Sequence, residues 1–163
     1  MKKGRYSMAL TLMDPAVILF RGDIFSTLCV EADGTGQNIA LSLRTVDPTG
    51  NTHAQLWQYG SDQRIYQYDG TASPAFCIGL NGAVQEENAL ILVTPSTTDT
   101  TQQWSLQTTV PSITNVPNAG YCMNDASGLG RVGDQVIIFP NTETDNVVWS
   151  FAIYPQFPNQ PTS

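Results

Sequence analysis

Positive charge is scarce in this sequence. Seven Lys and Arg stand against fourteen Asp and Glu in 163 residues, a net charge of −7. So few cations cannot line a phosphate backbone, and nucleic acid is not an expected partner. Three of them, Lys2, Lys3 and Arg5, crowd at the N-terminus, where a solubilising end is the simpler reading. Charge of either sign is thin, at 13% of residues, and Ser, Thr, Asn and Gln supply a neutral hydrogen-bonding surface instead. With one His and no C-x-x-C pair there is no zinc-site pattern, and neither a metal nor a cofactor is expected. No apolar run approaches the length of a membrane span. Lys2 and Lys3 followed by "SMALTLM" open like a signal peptide, but Asp14 and Pro15 break the run and no small-residue cleavage site follows. A cytoplasmic location, or export without a signal peptide, is the expectation. No segment keeps a helical period over three turns.

What the chain does contain is a repeat. Its three tryptophans sit in "AQLWQY", "TQQWSL" and "NVVWSF", at positions 57, 104 and 149, steps of 47 and 45 residues. Its three cysteines sit in "LCV", "FCI" and "YCM", at 29, 77 and 122, each thiol between apolar neighbours. From Cys to Trp the separations are 28, 27 and 27 residues. An apolar stretch lies between them in every copy: "NIALSL", "NALILV" and "DQVIIF". A period in the mid-forties marks a supersecondary unit that cannot bury its apolar face alone.

Each unit reads as short strands. In the second copy they are residues 64–68, 75–80, 89–94 and 102–106, separated by "DGTASP", "NGAVQEEN" and "PSTTDTT". Four strands in three copies predict an all-β chain of twelve strands, closed so that no long edge stays exposed. A β-trefoil of three four-stranded repeats is the natural architecture, because three blades are too few for a propeller. The expected domain spans 16–154, with repeats at about 16–60, 61–107 and 108–154. Residues 1–15 form an N-terminal extension, either an added strand or a partner contact, and 155–163 a Pro-rich tail. A Trp followed two residues later by Tyr59, Leu106 or Phe151 places both on one strand face, the expected signature of core.

With Gln55-Leu56-Trp57 and Gln102-Gln103-Trp104 in this frame, the sequence resembles the ricin B-type lectins, a Q-x-W β-trefoil family also found as carbohydrate-binding modules. The resemblance covers roughly residues 16–154. The third copy, Val147-Val148-Trp149, lacks the Gln. Secreted relatives commonly pair the Cys of a repeat with a second one in the third strand. Here those places read Arg44, Pro95 and Asn141 or their neighbours, so the three thiols are expected to be small buried hydrophobes, a pattern that suits a reducing compartment.

The resemblance also implies where a sugar would bind. A polar anchor lies two residues after the Cys, an aromatic ring ends the third strand, and an Asn stands three residues before the Trp. The first copy offers Glu31, no ring among Ala40, Ser42 and Leu43, and Ala54 at the Asn position; it is expected to be silent. The second offers Gly79, Val93 and Thr101 and is expected to be structural. The third offers Asn124 with Asp125 beside it, Phe139 and Asn146. Amide and carboxylate groups suit the hydroxyls of a sugar and a ring suits its apolar face. These four residues are the candidate sugar-binding set, and the resemblance implies galactose-type glycans or glycoproteins as partners, with homo-oligomerisation as a route to avidity. Catalysis is not expected. His53 is a loop residue without a partner in sequence, Glu86-Glu87 reads as a solvated tip, and no carboxyl pair, G-x-S-x-G elbow or phosphate loop is present. The alternative is a β-trefoil that binds proteins or inhibits proteases through loops such as 44–53 and 95–101.

Overall fold

A computed structural model describes residues 10–20, 27–49, 51–108, 111–142 and 147–153. Among these residues the pattern of apolar pairs and turn formers becomes twelve strands in three sets of four. The first set is β1 (Ala16–Phe20), β2 (Leu28–Ala32), β3 (Leu41–Thr45) and β4 (Trp57–Tyr59). The second is β5 (Ile65–Gln67), β6 (Cys77–Leu80), β7 (Leu90–Val93) and β8 (Trp104–Gln107). The third is β9 (Ser112–Asn115), β10 (Tyr121–Asp125), β11 (Val136–Pro140) and β12 (Trp149–Ile153). Single 3-10 turns at His53–Gln55 and Thr100–Gln102 lead into β4 and β8.

The first and fourth strands of each set form a closed wall. β1 pairs with β12 over the full register Ala16↔Ile153 to Phe20↔Trp149, β4 with β5, and β8 with β9, all antiparallel. Within each set the wall is completed at the Trp. Trp57 pairs with Ala16, the Trp104 N–H donates to the Gln63 carbonyl at 2.7 Å, and the Trp149 N–H to the Pro111 carbonyl at 2.9 Å. The extension adds to this wall. Leu12 pairs with Gly60 and the Met13 N–H reaches the Tyr59 carbonyl, so residues 11–13 lengthen the contact of β1 with β4. Residues 1–9 and 154–163 lie outside the described residues.

The second and third strands make three hairpins that hold one another in a ring. Asn38 N–H donates to Leu92 O and Leu92 N–H to Ile39 O, both at 2.8 Å. Glu87 N–H donates to Ile138 O at 3.0 Å, and Ile138 N–H returns to Asn88 O at 2.9 Å. Gly133 N–H donates to Leu43 O and Leu43 N–H to Asp134 O, both at 2.8 Å, which closes the ring. Asn38, Glu87 and Gly133 all have left-handed backbone, with φ of 65°, 64° and 92°. The common geometry shows what the ring demands. Gly adopts it freely and Asn tolerates it, while Glu87 is held there at a cost of about 1–2 kcal/mol.

The core is filled in threes. Ile18, Ile65 and Ile113 come from the first strands, Val30, Ile78 and Met123 from the residue after each Cys, and Leu43, Leu92 and Ile138 from the third strands. Trp57, Trp104 and Trp149 are 0%, 0% and 2% exposed, as core side chains should be. Each buried indole N–H must find an acceptor. Trp57 Nε1 donates to Val30 O at 3.0 Å, Trp104 Nε1 to Ile78 O at 3.1 Å and Trp149 Nε1 to Met123 O at 2.9 Å. Tyr59, Leu106 and Phe151 pack against the same cluster from its edge.

Trp104→Phe keeps an apolar ring but orphans the Ile78 carbonyl and leaves a gap. It is expected to lower the unfolding free energy by about 2–4 kcal/mol. Urea denaturation measures this, and a change within error of zero would show that the indole N–H contributes nothing net.

Candidate functional site

Each Cys sits at the centre of a three-strand row. Cys29 lies between Leu19 and Arg44, Cys77 between Tyr66 and Val93, and Cys122 between Thr114 and Phe139. All three thiols are free and buried, and burial pushes each up to about 12, so they stay protonated and apolar in character. Side chains opposite one another in a pair share a face. The anchor position two residues after the Cys and the residue that faces the Cys from the third strand therefore lie on one face in every repeat.

In the third repeat this face carries Asn124 and Phe139. Asn124 is 1% exposed, and Phe139 is half-buried. Asp125, expected from the sequence to join them, is paired with Val136 on the opposite side of the strand, the side of Met123 and Ile138. Its carboxylate turns back on the following loop. Oδ2 accepts from the Gly130 N–H at 2.7 Å and from the Ser127 hydroxyl at 3.3 Å, and Oδ1 from the Ser127 N–H at 3.3 Å. Burial raises its carboxyl above the ordinary range, and the nearby Asp134 adds to that. Gly130 has φ of 65°, and a β-carbon there would stand 2.5 Å from the Phe20 ring, so this loop fits only with glycine. Asp125 is thus a loop organiser and not a partner of Phe139. Asn146 lies outside the described residues.

The second repeat has no room on this face. A β-carbon on Gly79 would stand 2.4 Å from Val93 Cγ2, so Val93 covers the anchor position. The first repeat is more polar than its sequence suggested. Arg44, not Leu43, takes the place that Phe139 holds in the third repeat. Its guanidinium bonds Asp33 Oδ1 at 2.8 Å and lies 4.0 Å from Glu31 Oε1. Ser42 donates to Asp33 Oδ1 at 2.5 Å, and Gln55 Nε2 to Glu31 Oε2 at 2.6 Å. The row opposite Cys29 is therefore an ion cluster without a ring. Counting from the Cys hid this, because Cys29 faces a residue 15 positions on, Cys77 one 16 on and Cys122 one 17 on. Aligning the apolar pairs Leu41/Leu43, Leu90/Leu92 and Val136/Ile138 would have found it.

The Gln of Q-x-W has a structural task. Gln55 donates to Thr45 O and accepts from the Asp47 N–H, and Gln102 donates to Thr94 O and accepts from the Ser96 N–H. Each clamps the loop before its Trp. Both of these loops, and the turns that follow β5 and β10, carry an Asp-x-Thr/Ser pattern. Asp47, Asp69 and Asp99 each accept both the N–H and the hydroxyl of the Thr two residues on, and Asp125 does so with Ser127. Near loop 95–101, Arg64 is 5% exposed, pairs with Asp62 at 2.8 Å and donates to the Ser96 carbonyl. The loops named in the alternative reading are internally braced, not loose. His53 packs edge-on against Tyr68, with ring centroids 5.3 Å apart. Among the described residues no group of three or more His, Cys, Asp or Glu is placed to hold a metal, and no helix is long and apolar enough to cross a membrane.

No family model and no curated protein sequence matches the chain. Solved structures do. The agglutinin from Abrus precatorius superposes with a TM-score of 0.67 at 22% identity, over 85% of this chain and 46% of its own. This chain thus spans about half of that agglutinin. The C-terminal half of an earthworm R-type lectin, in complex with GalNAc, gives 0.68 at 9% identity, over 86% of this chain and 98% of its own. The β-trefoil lectin of the Vibrio vulnificus hemolysin/cytolysin, with N-acetyl-D-lactosamine bound, gives 0.65 at 14% identity, over 88% and 97%. The fold is a β-trefoil. Its three rows at the cysteines are the places where the trefoil frame is the same and the outward residues differ.

The Asp47 loop predicts an acid-sensitive contribution. The hydroxyl of Thr49, then that of Thr52, then the Thr49 N–H hold the Asp47 carboxyl down, from 3.8 to about 2. A lowered folded value means that the contribution is complete above the ordinary value and fades as pH falls through about 2. Asp47→Ala should therefore melt below the parent at neutral pH and converge with it in strong acid. Melting curves across that range check this, and a constant gap would refute it.

Proposed function

We propose that the chain is a non-catalytic carbohydrate-binding lectin for galactose-type glycans, with its site in the third repeat. The observation that carries this reading is the strand register that sets Phe139 and Asn124 on one face of the third hairpin. The ring would stack on the apolar face of the sugar, and the amides of Asn124 and Asn146 would bond its hydroxyls. Asp125, which accepts from the Gly130 N–H, would shape the loop at the margin of the site. The GalNAc and N-acetyl-D-lactosamine complexes of two structural neighbours support the choice of sugar class. One shallow site binds weakly, so glycoprotein recognition would draw on several copies of the chain acting together.

The second reading is a protein-binding or protease-inhibiting scaffold. The 1% exposure of Asn124 favours it, as do the braced loops around Asp47 and Asp99.

A glycan array with the parent chain, Phe139→Ala and Asn124→Ala separates the two. Binding to galactose- or GalNAc-terminated glycans is expected in the parent. Phe139→Ala should lose it by roughly tenfold, the worth of one stacked ring, while its circular dichroism stays that of the parent. Binding that survives both substitutions would move the site elsewhere. No binding to any glycan would turn the search to a protein partner.

A further inference from the structure

The turn between β6 and β7 holds a reactive pair that no binding role uses. Asn81 directly follows β6, Gly82 has φ of 103° with nothing within 4 Å of where a β-carbon would lie, and both residues are exposed. We propose that Asn81-Gly82 is a site of spontaneous deamidation, at which the chain converts its own side-chain amide to a carboxylate.

The reaction needs an uncommitted amide carbon, an uncommitted backbone nitrogen on the next residue, and space for the two to meet. The Gly82 nitrogen attacks Cγ of Asn81. The new C–N bond forms as Cγ–Nδ2 breaks, and ammonia leaves with the proton from the Gly82 nitrogen. Water then opens the succinimide at either carbonyl. The product is aspartate, or isoaspartate with the main chain running through the side-chain carboxyl, and a proton is released. Nothing is oxidised or reduced.

The structure supplies all three conditions at this pair. The Asn81 N–H contacts Ala89 O at 3.4 Å, but neither its side chain nor the Gly82 N–H makes a hydrogen bond among the described residues. The far side of the same loop is held by Asn88, whose Nδ2 donates to Ala83 O at 2.7 Å. Every other asparagine in the described residues precedes a residue with a β-carbon. Asn51 also precedes a committed nitrogen, since the Thr52 N–H is bonded to Asp47 Oδ2 at 3.0 Å. Asn118 spends its amide on Asn115 Oδ1 at 3.3 Å. The two Asp-Gly pairs could form the same ring but hold their carboxylates occupied: Asp69 by Thr71 and Ala75, Asp33 by Arg44 and Ser42.

The product has a defined place in the fold. It adds a third acid to a turn that already carries Glu86 and Glu87. Glu87 and Asn88 hold Ile138 of the next hairpin, so the modified turn adjoins a ring contact. The site is in the repeat whose outer face Val93 closes, and its chemistry is independent of sugar binding.

The test is a time course of the intact chain in mildly alkaline buffer at body temperature. Peptide mapping that distinguishes aspartate from isoaspartate is read beside isoelectric focusing. Conversion at Asn81 is expected to outrun that at Asn51 and Asn118 by roughly tenfold, because only glycine leaves both the approach and the backbone turn open. One more acidic band should grow in the parent and be absent from Asn81→Gln. An intact Asn81, conversion no faster than at Asn51 and Asn118, or an acidic band that persists in Asn81→Gln would overturn the proposal.

Discussion

A buried indole N–H cannot be left without an acceptor, and in this chain that requirement is met the same way three times. The tryptophan that opens β4, β8 or β12 donates to the carbonyl of the residue after the cysteine in β2, β6 or β10. The bond joins two motifs lying 27 or 28 residues apart in sequence, and it fixes the fourth strand of a repeat beneath its second. Once that distance is set, the first-strand isoleucines and the third-strand aliphatics have one space to fill, and they fill it as a threefold cluster. An unsatisfied acceptor at this depth costs as much as several surface contacts supply, so the Trp–carbonyl pair constrains the sequence more tightly than the aliphatics, which vary between Val, Ile, Leu and Met.

The outer face is under no such constraint. Backbone hydrogen bonds hold the hairpins to one another through Asn38, Glu87 and Gly133, whatever the outward side chains are. The same row can therefore hold an ion cluster around Arg44, a Val93 packed onto Gly79, or a Phe139 in line with Asn124. Three chemistries on one frame separate the part of the sequence that builds the trefoil from the part free to acquire a ligand.

That division explains what could be read in advance. The tryptophans, the free thiols and the strands of the second repeat were legible because burial acts on residue type at a fixed period: 64–68, 75–80, 89–94 and 102–106 became Ile65–Gln67, Cys77–Leu80, Leu90–Val93 and Trp104–Gln107. The outward row was less legible, because hairpins of unequal length shift its register. Counting from Cys29 stops short of Arg44 for that reason, and Asp125, a candidate only through its place beside Asn124, stays in register with Val136 on the other face. The Asp-x-Thr turns and the clamp formed by Gln55 and Gln102 are local hydrogen-bond patterns, which apolar periodicity does not register.

The pairing of β1 with β12 brings Ala16 opposite Ile153. The first strand of the wall thus begins where the last one ends. By the same geometry a short bridge could join these two positions and the chain could be cut at another repeat boundary. The resulting circular permutant would begin on a different hairpin and still meet every partner in the ring.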